Sequence, residues 1–372
     1  CLMNKEKQMG VDNMIKPRNL KKGDKVAIVS LSRGILGMPF CKHELDIAIK
    51  RLKEMGLVPV IMPNALKDMD YIEKHPEARA SDLKKAFMDE DIKMIITAIG
   101  GVDTYKTIPY LMDDQEFIEA VKHNPKIFTG FSDTTNNHLM FNRIGLSTFY
   151  GPCLLVDIAE LDNDMLPYTK EYFEKFFSSG EPYEIKSSSV WYSDRKSYGV
   201  EEIGKPRVSH KEKHGFEILN GSGVVTGKLY GGCIESIYDA YTGDLFEDEP
   251  AIYEKYNIFP TDDEWKEKVL FLETSESMVL PEKLEQMLME FKGRNILKLV
   301  RGIIVGKPMD EKYYDEYKDV YRKVFEDLDT PVLFNVNFGH SVPRCIIPYD
   351  AEATIDYDKG TIFINSRLFE EG

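Results

Sequence analysis

Between residues 25 and 155 the chain alternates strand-length apolar runs with segments of helical spacing, which restricts the fold more than any other feature. Lys25 to Ser30 is an apolar, β-branched run that predicts a strand. Cys41 to Met55 places Leu45, Ala48, Ile49, Leu52 and Met55 on one helical face and stops at Gly56, and Val58 to Met62 predicts a second strand. A helix beginning near Ala78, with Ser81 as its expected cap, feeds a strand from Lys93 to Ile99. That strand runs into Gly100-Gly101 and a helix from Thr104 to Met112. Lys126 to Thr129 and Leu146 to Tyr150 complete the set, separated by a helix carrying Leu139, Met140 and Ile144. Strands joined by helices pair in parallel, so the expected architecture is α/β: a doubly wound, mostly parallel N-terminal sheet.

The rhythm is lost over residues 158–222, where Ser187 to Arg195 and a charged run from Glu201 to Glu217 read as a linker with an exposed lobe. It returns near Gly223. Val224 to Leu229, Val269 to Glu273, Gly302 to Val305, Pro331 to Val336 and Thr361 to Ile364 predict strands of a second, C-terminal α/β domain. Helices are expected near Cys233 to Tyr241, Glu282 to Phe291 and Asp315 to Leu328. The expected division is a nucleophile-bearing domain over 17–160, a linker and substrate-covering lobe over 161–222, and a second domain over 223–372. Residues 1–16 are polar and unpatterned, the composition of a loose arm.

A formal net charge of −15 argues against a nucleic-acid polymer or an anionic membrane as partner, because either favours a basic face. No run approaches the roughly 18 apolar residues of a spanning helix, and the start lacks the apolar core of a signal peptide. Cys1, Cys41, Cys153, Cys233 and Cys345 are scattered singly, which fits neither a zinc site nor a disulfide framework and makes a reducing cytoplasm the expected location. Cys1 is the residue type that carries the lipid of a cleaved lipoprotein, but a trimmed start is the expected reading; the sequence does not decide between the two.

Candidate chemistry gathers at strand ends. Ser132 follows Gly130 in the turn between a strand and a helix, where a hydroxyl is exposed at the sheet edge and free helical N–H groups can face an oxyanion. Ser132, Asp133 and Thr134 are also ordinary helix-capping residues, and Thr134 stands where a Gly-x-Ser-x-Gly turn has its second glycine. Glu273 ends an apolar strand and either serves a site or caps the segment beginning Thr274-Ser275. His340 follows the run from Val332 to Gly339, while His43, His75, His123, His210 and His214 sit among charged residues and His138 lies on the helix after Ser132. Gly100-Gly101 is either a place for backbone to approach a ligand or a plain tight turn. Cys233, inside an apolar segment, reads as a small core residue rather than a nucleophile. Serine, histidine and carboxylate together would form a general-base relay.

These segments carry a resemblance. Ala78 to Phe87, Ile99-Gly100-Gly101, Gly130 to Asp133, Phe149 to Pro152, Leu229 to Gly232, Phe271 to Glu273, Gly302 to Lys307 and Phe338 to His340, in this order, resemble the LD-carboxypeptidase family of serine peptidases, including its microcin C immunity branch. The resemblance implies Ser132 as nucleophile, Glu273 and His340 as its partners, and the N–H groups of Gly101 and Asp133 as the oxyanion hole. It also implies an active site in the interdomain cleft, no metal, no cofactor and a homodimer. Its substrate would be a small peptide or an aminoacyl-nucleotide conjugate, cleaved at an amide. Gly100, Trp191 and Glu276 are the expected substrate contacts, with Trp191 either an exposed aromatic stacking on a base or an anchor of the lobe to its domain, and Tyr198 where that branch has a second tryptophan. Cys233 departs from the family's usual asparagine, and Tyr349-Asp350 from its small turn.

Overall fold

The computed structural model describes residues 14–370; Cys1 and most of the arm lie outside the described residues. Five parallel strands form the body of the first sheet: Val58–Ile61, Lys25–Val29, Ile92–Thr97, Ile127–Gly130 and Phe149–Tyr150, in that spatial order. Numbered along the chain, the order is 2-1-3-4-5, which reverses direction between the first and third strands. Open α/β sheets bind ligands outside the strand ends at such a reversal. Ser32 and Arg33 follow one of these two strands, and Gly100 and Gly101 the other. Nearly every residue of the three central strands is buried, the reason they read as apolar runs.

The second sheet has eight strands. Val224–Cys233, Lys268–Glu273, Gly302–Gly306 and Val332–Val336 pair in parallel at its centre. Antiparallel strands flank them: Glu352–Asp356, Thr361–Ile364 and Tyr183–Ile185 on one side, Glu217–Asn220 on the other. The two sheets are tied together. Ile347–Pro348, from the C-terminal half, adds an antiparallel strand to the first sheet beside Phe149–Tyr150. Across the junction the rings of Tyr150, Phe271, Phe338 and Tyr349 contact one another at centroid separations of 5.1 to 6.5 Å, which fixes the ends of the two sheets against each other.

Three details differ from the expectation. The helix containing Ser81 begins at Pro76, so Ser81 is an interior residue; proline fits a first helical position because its missing N–H would have no partner there. A further helix, Gln115–His123, is capped by Asp114, whose carboxylate accepts from the Phe117 N–H at 3.1 Å. The stretch over 158–222 is also less exposed than its charge suggests. It supplies both edge strands of the second sheet and a hairpin, Val190–Tyr192 with Ser209–Lys211, and it buries Arg207 against Glu160. Among the described residues no helix is long and apolar enough to cross a membrane.

Candidate active site

Ser132 sits at φ 66°, a left-handed conformation rarely adopted by a residue with a side chain, at the turn from Ile127–Gly130 into the helix Thr135–Ile144. Such a conformation costs on the order of 1–3 kcal/mol and persists only where its surroundings impose it. Here they do. The Ser132 N–H donates to the Tyr150 phenol oxygen at 3.0 Å, and the Thr135 hydroxyl donates to the Ser132 carbonyl at 2.7 Å. The neighbouring Asp133 carboxylate accepts from the Ser32 hydroxyl, the Thr104 N–H and the Asn136 amide. Gly130 allows the close packing beneath, since a Cβ there would lie 2.1 Å from Thr97 Oγ1 and 3.0 Å from the Thr134 methyl. Thr134 therefore fits where a second glycine was expected, over a first glycine that leaves it room. A Cβ on Gly100 would fall 2.9 Å from Ser132 Oγ and 3.3 Å from the Asp133 nitrogen, so glycine keeps the space before the hydroxyl open.

Glu273, 1% exposed, ends the buried strand Lys268–Glu273. Its Oε2 accepts from the His340 backbone N–H at 3.1 Å and from His340 Nδ1 at 2.8 Å, and its Oε1 accepts from the Tyr150 hydroxyl at 2.6 Å. Gly339, at φ 81°, makes the approach possible: a Cβ there would lie 2.4 Å from the carboxylate. His340 Nε2 lies 3.0 Å from Ser132 Oγ. Residues 208 positions apart are thus joined in one chain, Ser132 to His340 to Glu273, with Tyr150 bridging the carboxylate back to the serine backbone.

His340 Nε2 has a second neighbour, the Glu276 carboxylate at 2.8 Å. Burial pushes the imidazole pKa down, but Glu273 and then Glu276 more than offset this and raise it to about 10. Glu276 is held down at about 2, chiefly by its hydrogen bond to the same imidazole. His340 Nε2 therefore stands between a serine hydroxyl and a carboxylate, and the two neighbouring carboxylates favour its charged form. Burial, with Glu273 beside it, pushes the Tyr150 phenol well up, so it stays a donor.

Two cavities meet at Ser132, and Gly101 and Glu276 border both. The larger, about 520 Å³, is lined by Phe40, Gly100, Phe131, Tyr198, His340 and the guanidiniums of Arg33 and Arg344. Arg33 is exposed; its backbone N–H donates to the Gly100 carbonyl at 3.2 Å, and its guanidinium has no hydrogen bond or ion pair among the described residues. Arg344 donates to the Gly339 carbonyl at 2.7 Å and lies 4.2 Å over the Phe131 ring, bracing the segment that carries His340. The smaller cavity, about 290 Å³, is lined by Asp133, Cys233, Asp239 and Glu249, among others.

Of the two readings of Trp191, the structure has the anchor and not the exposed aromatic. Trp191 is 9% exposed, stacks on His210 at 4.0 Å, has Lys307 Nζ 5.2 Å from its ring, and lines neither cavity. The hairpin folds its apolar ring inward against those partners. Tyr198, from the same segment, reaches the larger cavity instead. His138 is buried and its pKa is pushed to about 3 by burial, leaving a neutral ring between Thr148 and the Gly130 carbonyl. Cys233 is buried beside Glu235, and burial, then Glu235, raises its thiol well above the usual range. Among the described residues no group of three or more histidines, cysteines and carboxylates could hold a metal ion. Tyr150 lies within the Phe149 to Pro152 segment with no role assigned from sequence, and nothing in the sequence signals where its hydroxyl points.

The chain matches two family models, the LD-carboxypeptidase N-terminal domain over residues 26–151 and the LD-carboxypeptidase C-terminal domain over 226–355. It is similar to the crystal structure of an MccF-like protein from Streptococcus pneumoniae in complex with AMP, at 43% identity and a TM-score of 0.87, covering 93% of this chain and 99% of that one. It is 26% identical to the probable murein peptide carboxypeptidase of Bacillus subtilis, covering 95% and 96% of the two chains. With the microcin C7 self-immunity protein MccF of Escherichia coli it shares 25% identity, over 78% of each.

Proposed function

The chain belongs to the LD-carboxypeptidase family, and from that premise we propose that it is a serine amidase that hydrolyses the acyl linkage of an aminoacyl-nucleotide conjugate. In this proposal residues 17–160 supply the nucleophile, 161–222 cover the substrate and 223–372 supply the carboxylate and histidine. One observation carries the reading: a strained serine at a strand-to-helix turn has its Oγ 3.0 Å from an imidazole whose other nitrogen is bonded to a buried carboxylate.

The steps follow from that geometry. Substrate displaces Glu276 from His340 Nε2, and the imidazolium releases its Nε2 proton to solvent to become a neutral base. Ser132 Oγ then attacks the acyl carbon as Nε2 takes the hydroxyl proton. Glu273, bonded to Nδ1–H, fixes the tautomer and stabilises the imidazolium. The oxyanion is met by the N–H groups of Gly101 and Asp133, the latter in the first turn of a helix and without an intrahelical acceptor. His340 returns its proton to the leaving amine. Water, activated by the same nitrogen, hydrolyses the acyl-enzyme.

The nucleotide assignment is supported by the larger cavity, whose Phe131 and Tyr198 rings can cover a base while Arg33 offers a free guanidinium to a phosphate. The Streptococcus pneumoniae protein, at 43% identity, is in complex with AMP. A second reading is release of a D-amino acid from a murein peptide; the same Arg33 suits a terminal carboxylate, and the Bacillus subtilis relative bears the name probable murein peptide carboxypeptidase. The proposal has the protein act as a cytoplasmic homodimer, which light scattering in solution checks for the assembly. The deciding experiment incubates purified protein and Ser132→Ala with aminoacyl sulfamoyl adenosines and with a murein tetrapeptide. Hydrolysis of the nucleoside conjugates that needs Ser132 is expected. Release of D-alanine alone would transfer the assignment to the second reading, and no release from either would make the protein a silent binder.

A further inference from the structure

The smaller cavity beside Ser132 is acidic, and most of its carboxylates are accounted for. Asp133 accepts three hydrogen bonds. Glu235 accepts from the Ser275 N–H at 2.9 Å and its hydroxyl at 2.8 Å. Asp244 pairs with Lys283 at 2.7 Å, and Glu276 is engaged by His340. Lys283 is the one cation among the described lining residues.

Two carboxyls are left. Glu249 is 2% exposed, faces the cavity, and its carboxyl has no hydrogen bond or ion pair among the described residues; only its backbone N–H is engaged, donating to the Phe246 carbonyl at 3.2 Å. Asp239, half-buried on the same wall, has none for its side chain either. Burial first, and then Asp133, Asp239 and Asp248, push the Glu249 pKa to about 9; burial and then Asp244 push Asp239 to about 6. A buried polar group without a partner is costly, and native structures keep few of them. This one looks into a cavity that opens on the candidate nucleophile, where a bound cation would supply the missing partner.

We infer that this cavity receives the acyl side of the substrate and selects a cationic side chain, an ammonium or a guanidinium, through Glu249 and Asp239. The inference rests on the amidase reading above and adds the chemistry of its acyl group. On binding, the cation takes the place of the Glu249 proton, which leaves to solvent, and no bond to the acyl group changes. An acidic side chain would meet carboxylates with no cation to spare, since Lys283 is committed to Asp244, so the wall also rejects the opposite charge.

The test compares lysyl, arginyl, norleucyl, aspartyl and glutamyl sulfamoyl adenosine, which share one leaving group, and adds L-lysyl-D-alanine so that a peptide source of the same cation is distinguished from a nucleotide one. The lysyl conjugate is expected to exceed its neutral isostere, the norleucyl one, by about 10- to 100-fold in kcat/KM, the usual worth of one charge-assisted hydrogen bond. Titration of Ser132→Ala with the same conjugates by calorimetry should give the same order of affinity. Glu249→Gln should reduce the lysyl-to-norleucyl ratio about tenfold while the empty protein melts no lower than the parent, because an unpartnered buried acid has been removed. Asp239→Asn, at a less buried position, gives a second reading of that ratio. Ser132-dependent turnover that favours norleucyl, aspartyl or glutamyl would overturn the inference and leave the amidase reading standing. No hydrolysis of any member would overturn both.

Discussion

Glu276→Gln is the substitution whose outcome depends most directly on the arrangement around His340. The Glu276 carboxylate lies 2.8 Å from His340 Nε2, the nitrogen that must be free of a proton before it can accept one from Ser132. Its side chain is 65% exposed, so the pair is taken near the dielectric of water, where two unit charges at this separation attract by about 1.5 kcal/mol. Removing that attraction should lower the imidazole pKa by about one unit. The sign follows from the proposed mechanism: His340 is raised to about 10 by its carboxylate neighbours, and that mechanism uses its neutral form. In the free enzyme kcat/KM should rise as pH passes up through that pKa, and Glu276→Gln should move this limb to lower pH by about one unit. At neutral pH the variant should be faster per encounter unless Glu276 also binds substrate, in which case KM rises while the limb still moves. The assay is kcat/KM on one aminoacyl sulfamoyl adenosine from pH 5 to 10. An unmoved limb, or one displaced upward, would refute the claim that Glu276 holds the resting imidazolium.

Ser132→Ala should lose several orders of magnitude in turnover with an unchanged circular dichroism spectrum; near-parental turnover would remove the serine from the mechanism. Tyr150→Phe leaves the Ser132 N–H and Glu273 Oε1 without their buried partner, and should cost about 1.5–3 kcal/mol of transition-state stabilisation, roughly 10- to 150-fold in kcat; unaltered kcat would mean the phenol does not steady the serine turn. Cys233→Ala should keep Ser132-dependent hydrolysis, because burial and Glu235 hold the thiol protonated; loss of turnover with a folded protein would bring the cysteine back as a candidate. Trp191→Ala should lower stability by about 3 kcal/mol through the lost stack on His210, read as a fall in melting temperature; a rise in KM alone would argue instead for contact with substrate.

What could be read from the chain follows from how burial writes itself into sequence. The central strands of both sheets are covered on both faces, so Lys25–Val29, Ile92–Thr97, Lys268–Glu273 and Gly302–Gly306 appear as mainly apolar runs and were legible. The edge strands Tyr183–Ile185 and Glu217–Asn220 were not, since each is paired on one side only and carries charged residues that belong equally to a loop. The short Glu217–Asn220 strand becomes a strand because Val332–Val336 offers it an edge, information that lies more than 100 positions away.

The same division runs through the site. Ser132, Glu273 and His340 each stand at the end of an apolar run, and a polar residue at that place is visible in one dimension. Tyr150 is hidden by belonging to the run itself: in Phe149–Tyr150 its ring packs as any aromatic would, and only its hydroxyl, meeting Glu273 and the Ser132 N–H, separates it from core. Trp191 stayed open between substrate contact and anchor for the converse reason. Its sequence neighbours are polar, while the groups that cover it, His210 and Lys307, arrive from the second strand of the hairpin and from the second sheet. Glu249 belongs with Tyr150, because a glutamate near the start of a helix ordinarily faces solvent and favours the helix N-terminus. Only the packing of Glu249–Lys255 onto the rest of the chain turns that carboxyl inward, so the residue on which acyl-group selection would rest carries the least sign of it in the sequence.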